Sequence, residues 1–162
     1  MKLAGEVITR GLADFYGIPY TIVRPSAVYG PTDMNRRVSQ IFIEKALNKQ
    51  KIKVHGKDEK LDFTYIKDIA HGAILATTEG KGAGEAFNIT HGKAHTLLDY
   101  VECLKHHFPD LDYDIVARDA FRPKRGTLSI EKAEKLIGYK PTYSLQEGVN
   151  EYVEFIKNKK VK

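Results

Sequence analysis

The sequence predicts an α/β protein in which one helix and one strand of a parallel sheet precede a small mixed α/β domain. Apolar residues recur at helical spacing over 2–16, and Gly17 follows as a natural C-terminal cap. Residues 18–25 then form a β-branched run that ends at a proline, as a buried parallel strand would. Helical and strand-like segments alternate through the rest of the chain, which is typical of the α/β class.

Downstream of this unit, each element follows from its own periodicity and end signals. We predict helices over 38–48, 68–77, 96–108, 129–137 and 144–157, and strands over 51–54, 63–66, 85–89 and 113–117. The helix at 96 begins with a Thr-x-x-Asp capping box, and the last helix begins with Ser-x-x-Glu. A lone strand after a lone helix cannot bury both of its faces, so we expect the rest of the first sheet to lie upstream of Met1.

The composition predicts a soluble globular protein. The chain has 162 residues, of which 42% are hydrophobic and 29% charged. It contains no apolar run of about 18 residues and does not begin like a signal peptide, so we expect a cytoplasmic protein without a membrane partner. The single cysteine, Cys103, excludes an internal disulfide and a zinc site of paired thiolates, and its place in a helical pattern predicts a structural role.

The net charge of +5 and the pI of 9.1 leave two ligand classes open. A basic surface suits nucleic acid, and a basic pocket suits an anionic small molecule such as a sugar nucleotide. Much of the excess lies in the basic tail over 157–162, which is typical of a solvated terminus. We therefore disfavour nucleic-acid binding.

Two patterns have the residue types of a cofactor or metal site but not the flanking secondary structure that such a site needs. The glycine-rich stretch 80–84 follows a helix and precedes a strand, whereas a dinucleotide loop follows a strand and opens a helix, so we interpret it as a turn. His91 and His95 are four residues apart, but Gly92 lies between them and a new helix begins at 96. No helical face aligns the two rings, and we predict no metal site.

Four segments, in order along the chain, carry a resemblance to a known family. They are Lys-Leu-Ala-Gly-Glu at 2–6, Arg-Pro-Ser-Ala-Val-Tyr-Gly-Pro at 24–31, Asp-Phe-Thr-Tyr-Ile-Lys-Asp-Ile-Ala at 62–70, and a weaker match over 122–141. The chain resembles the C-terminal half of NAD-dependent nucleotide-sugar epimerases and dehydratases of the extended short-chain dehydrogenase/reductase type, such as UDP-glucose 4-epimerase. The resemblance implies that the first helix and strand belong to a Rossmann-type sheet.

The resemblance also implies roles for particular residues. Lys2 would be the family lysine that lowers the pKa of the catalytic tyrosine and hydrogen-bonds the nicotinamide ribose, and Pro25 would contact the cofactor. Ser26, Val28 and Tyr29 would line the sugar site, although packing in the core is an equal alternative for Tyr29. The tyrosine itself would precede Met1, and without a glycine-rich loop or an acidic ribose anchor this chain is not expected to bind NAD alone.

The sequence departs from the family at two phosphate contacts. Ala27 stands where many members have an asparagine, and Leu61 stands where they have an arginine. We predict that Arg122, assisted by Arg125, binds the substrate phosphates instead, because a planar guanidinium binds phosphate through two parallel hydrogen bonds.

Two further basic residues near these segments, Lys60 and Lys124, are interpreted as solvated surface.

From these observations we expect three segments and one function. Residues 1–36 would be a remnant of the dinucleotide-binding domain, 37–157 the substrate-binding domain, and 158–162 a basic tail. The chain would be the substrate-binding half of a nucleotide-sugar epimerase or dehydratase, inactive without an N-terminal half and forming homo-oligomers or pairing with that half. A non-catalytic sugar-nucleotide or regulatory module and an RNA-binding derivative of the fold remain alternatives.

Overall fold

Short parallel strand pairs and six helices make up the part of the chain that the structure, a computed structural model, describes: residues 1–33, 35–78, 80–118, 120–121 and 123–160. The helices are α1 (Lys2–Tyr16), α2 (Val38–Leu47), α3 (Ile66–Thr78), α4 (Leu97–Lys105), α5 (Glu131–Ile137) and α6 (Leu145–Lys160). The strands are β1 (Ile22–Pro25), β2 (Val28–Tyr29), β3 (Ile52–His55), β4 (Lys60–Leu61), β5 (Thr64–Tyr65), β6 (Ala86–Ile89), β7 (His95–Thr96) and β8 (Tyr113–Val116).

The strands pair two by two. Strands β1 and β6, β2 and β5, and β3 and β8 are parallel pairs, whereas β4 and β7 are antiparallel. Helices separate the partners of the two longer parallel pairs along the chain, as parallel strands require. This confirms the predicted α/β class, and every predicted helix is present within a few residues of its expected bounds.

The helix ends follow the signals in the sequence. Thr96 accepts a hydrogen bond from the backbone N–H of Asp99, and the Asp99 carboxylate accepts one from the backbone N–H of Thr96, which completes the predicted capping box of α4. Helices α1 and α5 end at Gly17 and Gly138, both in the left-handed conformation with φ of 64° and 68°. These glycines adopt a backbone geometry that other residues reach only with strain.

Strand β1 differs from the prediction in length and burial. It spans only Ile22–Pro25 of the predicted 18–25 run, and its last two residues are exposed rather than buried. Residues 22–25 pair in register with Ala86 to Ile89 of β6. Within the described residues no second strand pairs with β1, and a strand with one unpaired edge and one open face cannot be fully buried.

Two hydrophobic clusters stabilise the chain. The larger one brings together α2, α4 and α6, and the smaller one lies between α3, α5 and the β1–β6 pair. The fully buried members of the larger cluster are Ile43, Ile52, Val54, Tyr65, Tyr100, Val101, Leu104, Val149, Tyr152 and Val153, and the smaller one contains Ala76, Phe87, Ile89, Ala133, Ile137 and Tyr139. Because β1 is hydrogen-bonded to β6, the N-terminal segment is joined to the smaller cluster across the proposed boundary at residue 36.

Helix α1 exposes its apolar face. Leu3, Val7, Leu12 and Phe15 are 72%, 63%, 52% and 79% exposed, whereas Ala13, on the opposite face, is buried. An ordinary surface helix has the reverse arrangement, with its apolar stripe toward the core. The outer surface of α1 is therefore a large apolar patch.

The Arg24–Glu6 ion pair fixes α1 to β1. Nε of Arg24 donates to Oε1 of Glu6 over 2.8 Å. This hydrogen bond lowers the pKa of the Glu6 carboxyl, so the pair is charged at neutral pH. Helix α1 therefore meets β1 through its polar side.

No helix in the described ranges is long and apolar enough to cross a membrane.

Close packing of α3 on β6 depends on Gly72. A Cβ at Gly72 would lie 2.3 Å from Cγ2 of Ile89 and 2.9 Å from Cε2 of Tyr139, both buried side chains. We predict that Gly72→Ala lowers the free energy of unfolding by about 1–3 kcal/mol through overpacking. The matched control is Gly11→Ala in α1, where nothing lies within 4 Å, and there alanine should raise stability by roughly 0.5–1 kcal/mol. Urea unfolding of both variants checks this, and equal effects would contradict the proposed packing.

Candidate functional site

A cavity of about 540 Å³ opens between the loop after β1, the start of α2, strands β3 and β4, and the segment after β8. Its lining residues are Ala27, Val28, Arg36, Arg37, Val38, Ser39, Ile41, Phe42, Lys45, Lys53, His55, Glu59, Leu61, Phe63, Leu97, Arg118, Pro123 and Arg125. The volume lies within the usual range for small-molecule sites, about 300–1,000 Å³.

The floor of this cavity is apolar. Phe42, Phe63 and Leu97 belong to the larger hydrophobic cluster and are 4%, 3% and 8% exposed. Ala27 and Leu61, the two departures from the family pattern, also line the cavity and are half-buried. Both departures therefore make the site more apolar at positions where the resemblance implies polar contacts.

The rim of the cavity is basic. Six cationic side chains line it, against one acid, Glu59, in the described part of the lining. The cationic residues are Arg36, Arg37, Lys45, Lys53, Arg118 and Arg125. Several cations around one small opening raise the local concentration of anions and attract an anionic ligand.

The N-terminus of α2 also opens into the cavity. Arg37 is its N-cap, no side chain caps the helix, and its first turn contains no acidic residue. Val38 and Ser39, in that first turn, line the cavity. An uncapped helix start presents backbone N–H groups and the positive end of the helix dipole, which suits a phosphate beside the basic rim.

Two arginines are tied to the elements that frame this opening. Arg37 donates from Nη1 to the carbonyl oxygen of Val28 over 3.0 Å, which links the helix start to β2. Arg36, just before α2, forms an ion pair of 2.9 Å with Glu44 in that helix. The positions of the α2 start and of the loop after β1 are therefore coupled.

The structure brings two of the substrate residues predicted from the sequence into this cavity. Val28 lies on its floor and the exposed Arg125 on its rim. Ser26 is half-buried in the loop beside them and does not line the cavity. Arg122 lies outside the described residues, so its predicted role stays a prediction, as does phosphate binding by Arg125.

Tyr29 packs in the core. It is 2% exposed, its ring contacts those of Phe63, Tyr65 and Tyr100, and its hydroxyl donates to the carbonyl oxygen of Leu145 over 3.3 Å. Burial raises the pKa of this hydroxyl well above its ordinary value, so it is a neutral donor at physiological pH. These contacts favour the packing alternative for Tyr29, and the substrate contact stays a prediction.

Lys2 and Pro25 lie on the sheet side of the molecule, away from the lining of the cavity. Lys2 is exposed in the first turn of α1, and Pro25 is the exposed last residue of β1. Pro25 stands at the carboxyl end of a parallel strand, the edge where open α/β sheets bind ligands. Their cofactor roles are consistent with this position but stay predictions.

The glycine-rich stretch forms the predicted turn. Gly80 and Gly84 have φ of 69° and 77°, and a Cβ at Gly82 would lie 2.0 Å from the carbonyl oxygen of Ala76. Thr21 donates to the carbonyl oxygen of Gly82 over 2.8 Å. The turn is packed on the end of α3 at Gly82, as a connection between that helix and β6.

His91 and His95 form a ring pair. Their ring centroids are 5.9 Å apart, and burial lowers the pKa of His95. In the ranges that the structure describes, no group of three or more His, Cys, Asp or Glu side chains is placed to hold a metal ion.

Sequence reasoning missed most of the basic rim. Arg36 and Arg37 precede a helix that has no Ser, Thr, Asp or Asn at its N-cap, and that missing cap was the available signal. Lys53 and Arg118 belong to no motif. They reach the same cavity because β3 and β8 pair in parallel across about 60 residues of chain, with His55 opposite Val116.

The sequence profile described as "NAD dependent epimerase/dehydratase family" matches residues 1–90, more than half of the chain. The chain belongs to this family. Family members include a putative UDP-glucose 4-epimerase of Methanocaldococcus jannaschii, 31% identical to this chain over 97% of its length and 52% of the relative's. The recognised resemblance and the Rossmann-type assignment of α1 and β1 are therefore confirmed.

Solved structures of epimerases have the same fold. An epimerase from Methanothermobacter thermautotrophicus superposes with a TM-score of 0.92 at 26% identity, covering 99% of this chain and 49% of that one. A UDP-glucose 4-epimerase from Thermotoga maritima, solved with UDP-glucose, gives 0.89 at 28% identity, with 98% and 52% covered. The chain spans about half the length of these epimerases.

The two alternatives for Tyr29 give different results in one variant. We predict that Tyr29→Phe lowers the free energy of unfolding by about 0.5–1.5 kcal/mol, because it removes one buried hydrogen bond to the Leu145 carbonyl. Its affinity for uridine diphosphate should stay within twofold of the unsubstituted chain, since the hydroxyl does not line the cavity. Urea unfolding and calorimetry measure the two effects, and a large loss of affinity at unchanged stability would instead assign Tyr29 to the substrate site.

Proposed function

We propose that this chain is the substrate-binding part of an NAD-dependent nucleotide-sugar epimerase or dehydratase, and that it acts with a dinucleotide-binding half. The observation that carries the proposal is the cavity, in which an apolar floor meets a basic rim at the uncapped start of α2. A nucleotide sugar has the complementary chemistry, because the flat faces of its base can pack on apolar side chains and its diphosphate is anionic.

The ligand would lie with its base and ribose on the floor and its diphosphate at the rim. Phe42, Phe63 and Leu97 offer apolar contact area for the base. The first turn of α2, together with Arg37 and Arg125, offers backbone N–H groups and guanidinium groups for the phosphates. A floor without polar anchors makes the phosphate contacts the main source of affinity.

The sugar end of the ligand would point toward the carboxyl end of β1. Val28 lines the cavity three residues after Pro25, and Ser26 lies between them. In this family a tyrosine removes the hydroxyl proton of the sugar while the nicotinamide accepts the hydride. The contribution we assign to this chain is to hold and orient the sugar nucleotide, with Lys2 supplying the ammonium near the tyrosine.

The partner half would cover α1 and β1. The apolar side chains of α1 are exposed, and among the described residues β1 pairs only with β6, as expected for elements that a further part of a parallel α/β sheet would cover. The epimerases that superpose on this chain are about twice as long. We propose that residues 1–36 complete a dinucleotide-binding domain, that 37–157 form the substrate domain, and that 158–162 are a basic tail.

Binding by the chain alone tests the substrate role. We predict that calorimetry detects UDP-glucose, dTDP-glucose or the free diphosphates, whereas NAD gives no dissociation constant below about 100 μM. Arg125→Gln should weaken nucleotide binding about three- to tenfold, a charged hydrogen bond reduced by exposure to solvent. The matched control is Lys60→Gln, which removes one exposed positive charge outside the cavity lining.

Two results would contradict this role. Tight NAD binding would contradict the proposal that this chain binds the substrate and a partner half binds the dinucleotide. Binding of RNA with a steep salt dependence, in the absence of nucleotide-sugar binding, would favour the RNA-binding alternative.

Complementation tests the proposed partner. We predict that mixing or co-expressing this chain with the N-terminal half of the Thermotoga maritima UDP-glucose 4-epimerase produces a complex with epimerase activity that neither half has alone. Leu3→Glu together with Phe15→Glu should abolish the complex, because both side chains are more than 70% exposed on the apolar face of α1. Nucleotide-sugar binding with no gain of activity would favour a non-catalytic module, and a stable complex of the doubly substituted chain would exclude this docking face.

A further inference from the structure

Strand β8 has an open edge. Among the described residues it pairs only with β3, as a parallel neighbour. The N–H of Ile52 donates to the carbonyl oxygen of Asp112 over 3.0 Å. At the other end of the pair, the N–H of Gly56 donates to the carbonyl oxygen of Val116 over 2.9 Å. Because the backbone groups of a strand alternate in direction, the N–H and carbonyl groups of Ile115 face the other edge, where a further strand can pair.

A groove of about 560 Å³ lies along the end of this edge. Ile115, Val116 and Ala117 all line it. Side chains of consecutive strand residues point to opposite faces, so a groove that contacts all three includes the backbone edge. The side chain of Ile115 is 52% exposed and offers an apolar contact at the same place.

The groove is basic. Besides the Arg118–Glu59 ion pair, whose charges cancel, four exposed cationic residues line it. These are Lys57, Lys60, Lys124 and Arg125. Asp58 is the one further acid in the described part of the lining, which leaves an excess of three positive charges. The groove therefore complements an acidic ligand.

The lining favours an extended peptide over a nucleic acid. Its described members include no aromatic side chain, whereas proteins bind single-stranded nucleic acids largely by stacking bases on aromatic rings. An open strand edge offers donors and acceptors at the spacing of another extended backbone, and Ile115 can contact one of its side chains.

We propose that the open edge of β8 and this basic groove form a docking site for an extended, acidic segment of a partner protein. The segment would add a strand to the β3–β8 pair through backbone hydrogen bonds, and its acidic side chains would contact Lys57 and Lys124. Neither lysine lines the cavity of the candidate site, so the docking site does not depend on the proposed function.

Fluorescence anisotropy with a labelled, end-blocked peptide of about eight residues, in which glutamate alternates with valine, tests the docking site. We expect saturable binding at about 0.15 M salt, where distant charges are screened, and none by the same peptide with lysine in place of glutamate. Lys57→Glu together with Lys124→Glu should weaken binding at least tenfold. The matched control, Lys93→Glu with Lys159→Glu, makes the same change in net charge at exposed residues outside the groove lining and should stay within twofold.

Backbone pairing has its own readout. A strand pairs with its neighbour through every second residue, so N-methylation of one alternate set of peptide amides should weaken binding at least tenfold, and methylation of the other set much less. Ile115→Pro removes the outward N–H and should also weaken binding at least tenfold, whereas Ile115→Val should not. Proline is tolerated on an edge strand when its nitrogen faces away from the neighbouring strand. Circular dichroism checks the fold of this variant, and if it is unfolded, the methylated peptides decide.

Several results would overturn the docking site. Equal binding of the glutamate and lysine peptides, equal losses in the groove and control variants, or equal effects of the two methylated sets would each do so. Stronger binding of a single-stranded RNA oligonucleotide than of the glutamate peptide would assign the groove to nucleic acid instead. Dimers in sizing that Ile115→Pro dissociates, without peptide binding, would assign the edge to a second copy of this chain.

Discussion

The parallel pairing of β1 with β6 is the interaction on which the rest of the structure depends. It joins residue 25 to residue 89 and so places the loop after β1 next to the segments that follow β5 and β6. Two hydrogen bonds continue this contact beyond the sheet: the N–H of Thr64 donates to the carbonyl oxygen of Ala27, and the N–H of His91 donates to Oγ1 of Thr64. The loop after β1, which contributes Ala27 and Val28 to the cavity lining, is thus held beside the β5 strand.

Next to this pair, helix α1 exposes apolar side chains to solvent. A parallel sheet is normally buried on both faces; here β1 and β6 pack against α3 and α5, and α1 is linked to β1 by the exposed Arg24–Glu6 pair. The apolar residues of α1 are exposed, and this exposure is why we propose that a partner half covers that face.

Local sequence signals were sufficient for the helices and insufficient for the site. Caps such as Thr96 with Asp99, or Gly138, mark an element within a few residues, because the physics of a helix end is local. Strands β2, β4 and β7 have two residues each and no periodicity, and they exist only because tertiary contacts pair them. Val28 and Arg125 could be predicted from motif position, whereas Arg118 lies in no motif and reaches the cavity because β8 pairs with β3.

The cavity combines apolar side chains with a basic rim, and this combination limits which ligands fit it. Its floor has lost polar groups at Ala27 and Leu61, so it can distinguish bases by shape but offers few directed hydrogen bonds to them. Its cations surround one opening of limited volume, which suits a short anionic ligand. A short ligand with its charge concentrated at one end satisfies both features. This combination favours a nucleoside diphosphate sugar over a polynucleotide and makes the phosphate contacts, more than the base contacts, the determinant of affinity.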